Sequence, residues 1–140
     1  MPPTSSTAAP GTSSTDAPRQ DWLTLVRQNG TPTFSAAFAG DAVLEASVLE
    51  SALVGPDAIG RFFRATSGMY DSLAFTHETR DGSKMYLEWS GRVFGQEVGG
   101  VTIVTRRPDG RIESVRLYHR PLAIVSRFST ELARRMKEQR

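Results

Sequence analysis

A chain of 140 residues with 39% hydrophobic and 23% charged side chains has the size and composition of one globular domain and is too short for two ordinary ones. The absence of cysteine excludes a disulfide framework and a thiolate metal site. A net charge of only +2 speaks against nucleic acid as a partner, and no stretch approaches the roughly 20 apolar residues of a membrane span.

Residues 1–18, "MPPTSSTAAPGTSSTDAP", are small, polar or proline and bury too little apolar surface to offset the entropy of ordering, so a disordered tail is expected, with the folded domain over 19–140. The tail lacks the basic start and apolar run of a secretory signal, and a cytoplasmic protein is expected. Trp22, Leu25 and Val26 fall at helical spacing and predict a first helix from about Gln20 to the Asn29-Gly30 pair. A short second helix is expected over Thr33 to Phe38, then a strand from Ala42 to Leu49 ending before Gly55-Pro56. Pro56 and Asp57 open a helix whose Ile59, Phe62, Phe63, Thr66, Met69 and Tyr70 repeat every three to four residues.

From Leu73 the period changes to two. Turn signals at "RDGS" (Arg80 to Ser83), Gly95-Gln96 and "RPDG" (Arg107 to Gly110) divide four strands of an antiparallel meander. Pro121 then starts a last helix with Leu122, Val125, Phe128, Leu132 and Met136 on one side. Arg134, Arg135, Lys137 and Arg140 at its end suit the negative pole of the helix dipole. Helices gathered on one face of a sheet make this an α+β chain.

Strand alternation sorts the side chains into faces. In the first strand Ala42, Leu44, Ala46 and Val48 are wholly apolar and belong inside, leaving Glu45 outside. In the meander the expected inward set is Leu73, Phe75 and His77; Met85, Leu87 and Trp89; Val101, Ile103 and Thr105; Val115, Leu117 and His119. The expected outward set includes Tyr86, Phe94, Val98, Thr102, Val104 and Tyr118, too apolar for a face left open to water. Asp41, at the start of the first strand, is expected to hold backbone N–H groups or a neighbouring arginine. Asp57 suits the first turn of its helix, and Glu88 and Arg92 form part of an outer charge pattern.

Three segments, "FAGDAV", "GPDAIGRFF" and "PDGRIESVRLY", resemble the strand opening, the helix and the final hairpin of the nuclear transport factor 2-like superfamily, which includes ketosteroid isomerases, SnoaL-like polyketide cyclases and limonene epoxide hydrolases. The resemblance implies a cone-shaped, cystatin-like α+β fold, in which a curved, mixed but mainly antiparallel sheet wraps around N-terminal helices and a C-terminal helix follows. It also implies pairing through the outer sheet face, hence a homodimer. Residue by residue, the isomerases' catalytic carboxylate falls on Ala46, their first-helix tyrosine on Trp22, and the protonated acid that assists it near Ile103. The hydrolases' last-strand aspartate falls near Leu117. None of these residues can do the family's chemistry, although the Trp22 indole N–H remains a donor.

The expected site is therefore an apolar cup for a small hydrophobic molecule, lined by Trp22, Phe38, Ala46, Phe63, Phe75, Met85, Trp89, Ile103 and Leu117. Neither a cofactor nor a metal is expected, because two histidines with no third ligand make a weak metal site. Two alternatives stay open. His119 or His77 could act as the acid or base of a cyclase- or isomerase-type reaction, or the cup could be filled by its own side chains in a partner-binding module.

Overall fold

The structure, a computed structural model, describes residues 22–139. The expected tail and the start of the first helix near Gln20 lie outside the described residues. Helix α1 takes in residues 22–27 and is followed by α2 (Pro32–Ala36), whose N-cap Thr31 accepts a hydrogen bond from the Phe34 N–H. That bond occupies one of the donors a helix start leaves open. Strand β1 runs Phe38–Ala46, earlier at both ends than the spacing predicts, and β2 is the two-residue stretch Leu53–Val54. Two residues are too few for periodicity to register, so β2 left no signal in the sequence. Helix α3 (Pro56–Ser67) starts with proline in its first turn and carries Asp57 there, as expected, and it buries Ile59, Phe62, Phe63 and Thr66. Tyr70, taken with that helix in sequence, instead opens the next strand.

The meander is β3 (Tyr70–Asp81), β4 (Lys84–Val93), β5 (Gln96–Arg106) and β6 (Ile112–Arg120), and α4 (Leu122–Glu138) follows. The six strands form one sheet in the order β2-β1-β6-β5-β4-β3, with β1 parallel to β6 and every other pair antiparallel. The β4–β5 turn uses Phe94 and Gly95, both at positive φ (56° and 74°). Two left-handed residues give a turn whose twist matches that of the flanking strands. The cost of holding a phenylalanine there is offset by packing: its ring lies against Phe128 and under the Arg127 guanidinium, 4.1 Å from the ring centre.

Pairing corrects two of the expected faces. In β5, Thr102 lies opposite Leu87 and Leu117, and Val104 opposite Met85 and Val115. Cross-strand partners share a face, so Val98, Thr102 and Val104, which are buried, point inward. Val101 and Ile103 lie opposite Tyr118, Glu88, Arg116 and Tyr86 on the outer face. The expectation that Ile103 lines the cup is thus overturned. In β3 the pairing slips between Phe75, opposite Trp89, and His77, opposite Glu88. One extra residue reverses alternation beyond it. His77 is consequently turned outward, where its side chain is 79% exposed and its Nδ1 lies 3.3 Å from the Glu88 carboxylate. In β1 Ala42 and Leu44 are buried as expected, as is Val48 just beyond the strand, and Glu45 faces out to accept a hydrogen bond from Arg116 at 3.1 Å.

The core fills the space between the inner sheet face and the helices. Leu44, Leu87, Val104 and Val115 rise from the sheet to meet Phe34, Ile59 and Phe62, while α4 adds Ile124, Phe128 and Leu132. Each such side chain contributes on the order of 1.5–3 kcal/mol through burial. Among the described residues no helix is long and apolar enough to cross a membrane.

Candidate functional site

Between α1, α3 and the inner faces of β3 to β6 the core stays open as a cavity of about 400 Å³. Its volume lies within the range of small-molecule sites. Six of the lining side chains are aromatic: Trp22 and Phe63 meet edge to face with ring centres 5.7 Å apart, and Phe62, Tyr70, Phe75 and Trp89 continue the wall. The helix positions follow from the three-to-four spacing of α3, and the strand positions from alternation in β3 and β4.

Of the nine expected lining residues, the structure brings five to the cavity: Trp22, Phe63, Phe75, Trp89 and Leu117. Phe38 is buried against Phe34, with ring centres 4.7 Å apart, and Met85 is buried in the core. Both lie outside the cavity wall, as does Ala46, which packs against the core opposite Leu117. Phe62, Tyr70 and Thr102 line the cavity and were missed. Helical spacing had singled out Phe62, although not as a site residue. Tyr70 and Thr102 had been given to the wrong element or face. No aspartate, glutamate or histidine lies among the described lining residues.

His119 stands beyond the wall. It is buried (8% exposed) among Tyr70, Trp89 and Phe128, and its backbone N–H donates to Ser47 Oγ at 2.8 Å. Opposite it on β5 is Gly100, on which a Cβ would strike the Tyr118 carbonyl and come within 2.7 Å of the Trp89 ring. The missing side chain lets the His119 and Trp89 rings approach to 5.0 Å across the strand between them. Nε2 of His119 and the Tyr70 hydroxyl are 2.8 Å apart, while Nδ1 is buried without a partner. Burial in this apolar setting pulls the His119 pKa down to about 4 and pushes the Tyr70 phenol up, because a charge on either group would be stripped of water.

Asp41, Glu88 and Glu78 lie away from the cavity lining. Asp41 accepts a 2.6 Å hydrogen bond from Arg107, which holds its carboxyl below the usual range. Glu88 is matched with His77, and Arg92 donates to the Gly95 carbonyl. Glu78 is turned inward by its pairing opposite Leu87, with its side chain 6% exposed and paired with Arg80 at 3.1 Å, but it does not line the cavity. Among the described residues no group of three or more histidine, aspartate or glutamate side chains is placed to hold a metal ion.

No family model matches the sequence, and no curated protein matches it. Solved structures do. A steroid delta-isomerase from Pseudomonas aeruginosa superposes with a TM-score of 0.74 at 21% identity, covering 87% of this chain and 90% of that one. A protein of ketosteroid isomerase-like fold from Catenulispora acidiphila, in complex with trimethylamine, gives 0.59 at 21% identity over 83% of this chain and 94% of its own. A polyketide-cyclase-like protein from Sinorhizobium meliloti gives 0.56 at 28% identity over 69% and 88%. The fold is that of the nuclear transport factor 2-like superfamily.

Proposed function

We propose that this chain is a SnoaL-like domain that binds a small hydrophobic ring compound in its apolar cup and lacks the ketosteroid isomerase catalytic set. The observation that carries this is a cavity of about 400 Å³ with aromatic walls and no carboxylate among its described lining residues. Burial of a two- or three-ring molecule would supply the affinity at about 25 cal/mol per Å² of apolar surface, and a few hydroxyls would orient it. A cup filled by its own side chains would leave no such volume. Proton transfer by His77 is disfavoured by its place on the outer surface, and His119 stands behind Tyr70 rather than in the wall. That the Catenulispora acidiphila protein holds a small molecule is consistent with a binding role.

Trp22 and Trp89 are the only tryptophans of the chain and both line the cavity, so intrinsic fluorescence reports occupancy. Titration with tetralin, a two-ring hydrocarbon, should shift the emission saturably at one site per chain. Native mass spectrometry of protein purified from its own host should show a retained ligand. Absence of both would overturn the proposal. We also infer a homodimer through the outer face, where Val101, Ile103 and half-exposed Tyr118 stand together; sedimentation at a single mass of one chain would refute it.

A further inference from the structure

The polar pair at the inner wall has a directionality that the bonding of His119 determines. Tyr70 contributes to the cavity wall, and its hydroxyl meets Nε2 of His119 at 2.8 Å. Nδ1, the other ring nitrogen, is buried with no hydrogen-bond partner. A neutral imidazole carries one N–H and one bare lone pair, so two arrangements are open. If Nδ1 holds the hydrogen, a buried N–H is left without an acceptor and the tyrosine hydrogen is consumed by Nε2. If Nε2 holds it, the orphan is only a lone pair and Nε2–H donates to the tyrosine oxygen. Orphaned buried N–H donors are rarer in proteins than under-used acceptors, which favours the second arrangement. The phenolic hydrogen is then left over.

We propose that His119 is a positioning residue that keeps Tyr70 a hydrogen-bond donor toward the cavity, so that the ligand is a hydrophobic ring compound bearing an acceptor oxygen, such as a carbonyl, against Tyr70. This rests on the cavity being a ligand site, as proposed above. Burial of both rings supports it, since His119 stays neutral at ordinary pH and the phenol stays protonated. The faces around the imidazole belong to Trp89, Phe128 and Tyr70, and none of these offers an oxygen or nitrogen acceptor to Nδ1 other than the hydroxyl already engaged by Nε2.

Two measurements on the full chain test this. Nitrogen-15 spectroscopy of the imidazoles reads which ring nitrogen of His119 bears the proton; Nε2–H is expected, and Nδ1–H would overturn the proposal. The second measurement compares 1-tetralone, a two-ring ketone, with tetralin on the wild-type protein and on Tyr70→Phe. The ratio of ketone to hydrocarbon affinity should fall about 3- to 10-fold in the variant, the worth of one net hydrogen bond, while tetralin itself binds both proteins within about twofold. An unchanged ratio with both compounds bound would sink the donor role and leave the cavity assignment standing. If neither compound binds the wild type, both proposals fail together.

Discussion

Lowering the pH should destabilise the fold through His119, over a window that can be stated in advance. In the unfolded chain the imidazole has its ordinary pKa of 6.5, whereas burial in the native state holds it at about 4. Above 6.5 neither state is protonated and the residue has no pH-dependent effect. Between 6.5 and 4 the unfolded chain takes up a proton that the native protein refuses, so stability falls with pH; below 4 both are protonated and the loss is complete. A drop of roughly two and a half pH units, each worth about 1.4 kcal/mol, amounts to about 3.5 kcal/mol, a large share of the roughly 5–15 kcal/mol that holds a domain together. Tyr70, Trp89 and Phe128 pack against the ring and Ser47 accepts from the backbone N–H of the same residue, and none of them is charged at these pH values. Exposed Asp41, Asp109 and Glu131 also have lowered pKa values, so they too withdraw stability as pH falls, at and below the ordinary carboxylate range. Comparison with His119→Gln removes their share, since the variant keeps these acids and an amide for the tyrosine hydroxyl but does not titrate at this site. Urea unfolding followed by tryptophan fluorescence at intervals from pH 8 to 4.5 gives the two curves. Their difference should be flat above pH 7 and then change by about 1.4 kcal/mol per pH unit as the wild type weakens. A constant difference, or an NMR titration of native His119 near its ordinary value, would refute this account.

Gly100→Ala should be severely destabilising, because the added Cβ meets the Tyr118 backbone and the Trp89 ring; a melting temperature within a few degrees of wild type would show that the close approach of β5 to β6 is not required. His77→Ala should leave tetralin binding unchanged and alter stability by no more than about 0.5 kcal/mol, as for other surface substitutions, since the ring is exposed on the outer face. A loss of binding in that variant would mean that His77 does not stand on the outer face opposite Glu88.

How far the sequence reveals the site depends on how each strand's two faces differ. In β1 they differ sharply: Ala42, Leu44 and Ala46 alternate with Val43 and Glu45, and burying Glu45 without a partner would be prohibitive. That Glu45 faces outward is therefore legible in the sequence. In β5 the run "VGGVTIVT" is apolar or β-branched on both faces, so burial preference alone cannot choose between Thr102 and Ile103. Hairpin geometry could have chosen. Opposing residue numbers across a two-residue turn always add to an odd total, so odd-numbered Leu87 and Trp89 must face even-numbered residues on β5. The observed partners are Thr102 and Gly100. Met85 and Leu87 therefore cannot share a face with Val101 and Ile103 across the turn at Gly95.

The same constraint explains why the two histidines part company. Without a bulge, the two-residue β3–β4 turn sets even residues of β3 opposite odd residues of β4, which puts Glu78 inside with Leu87 and His77 outside with Glu88. Farther from the turn that pattern would also place Phe75 outside, exposing an aromatic ring and leaving Trp89 without its neighbour. The bulge between Phe75 and His77 resolves the conflict by returning Phe75 to the inner face. The bulge thus separates half-buried Phe75 from exposed His77, and what the sequence hides is a single inserted residue. His119 has no such freedom, because β6 is held between β1 and β5, and it stays inside, behind the cavity residues Tyr70 and Trp89.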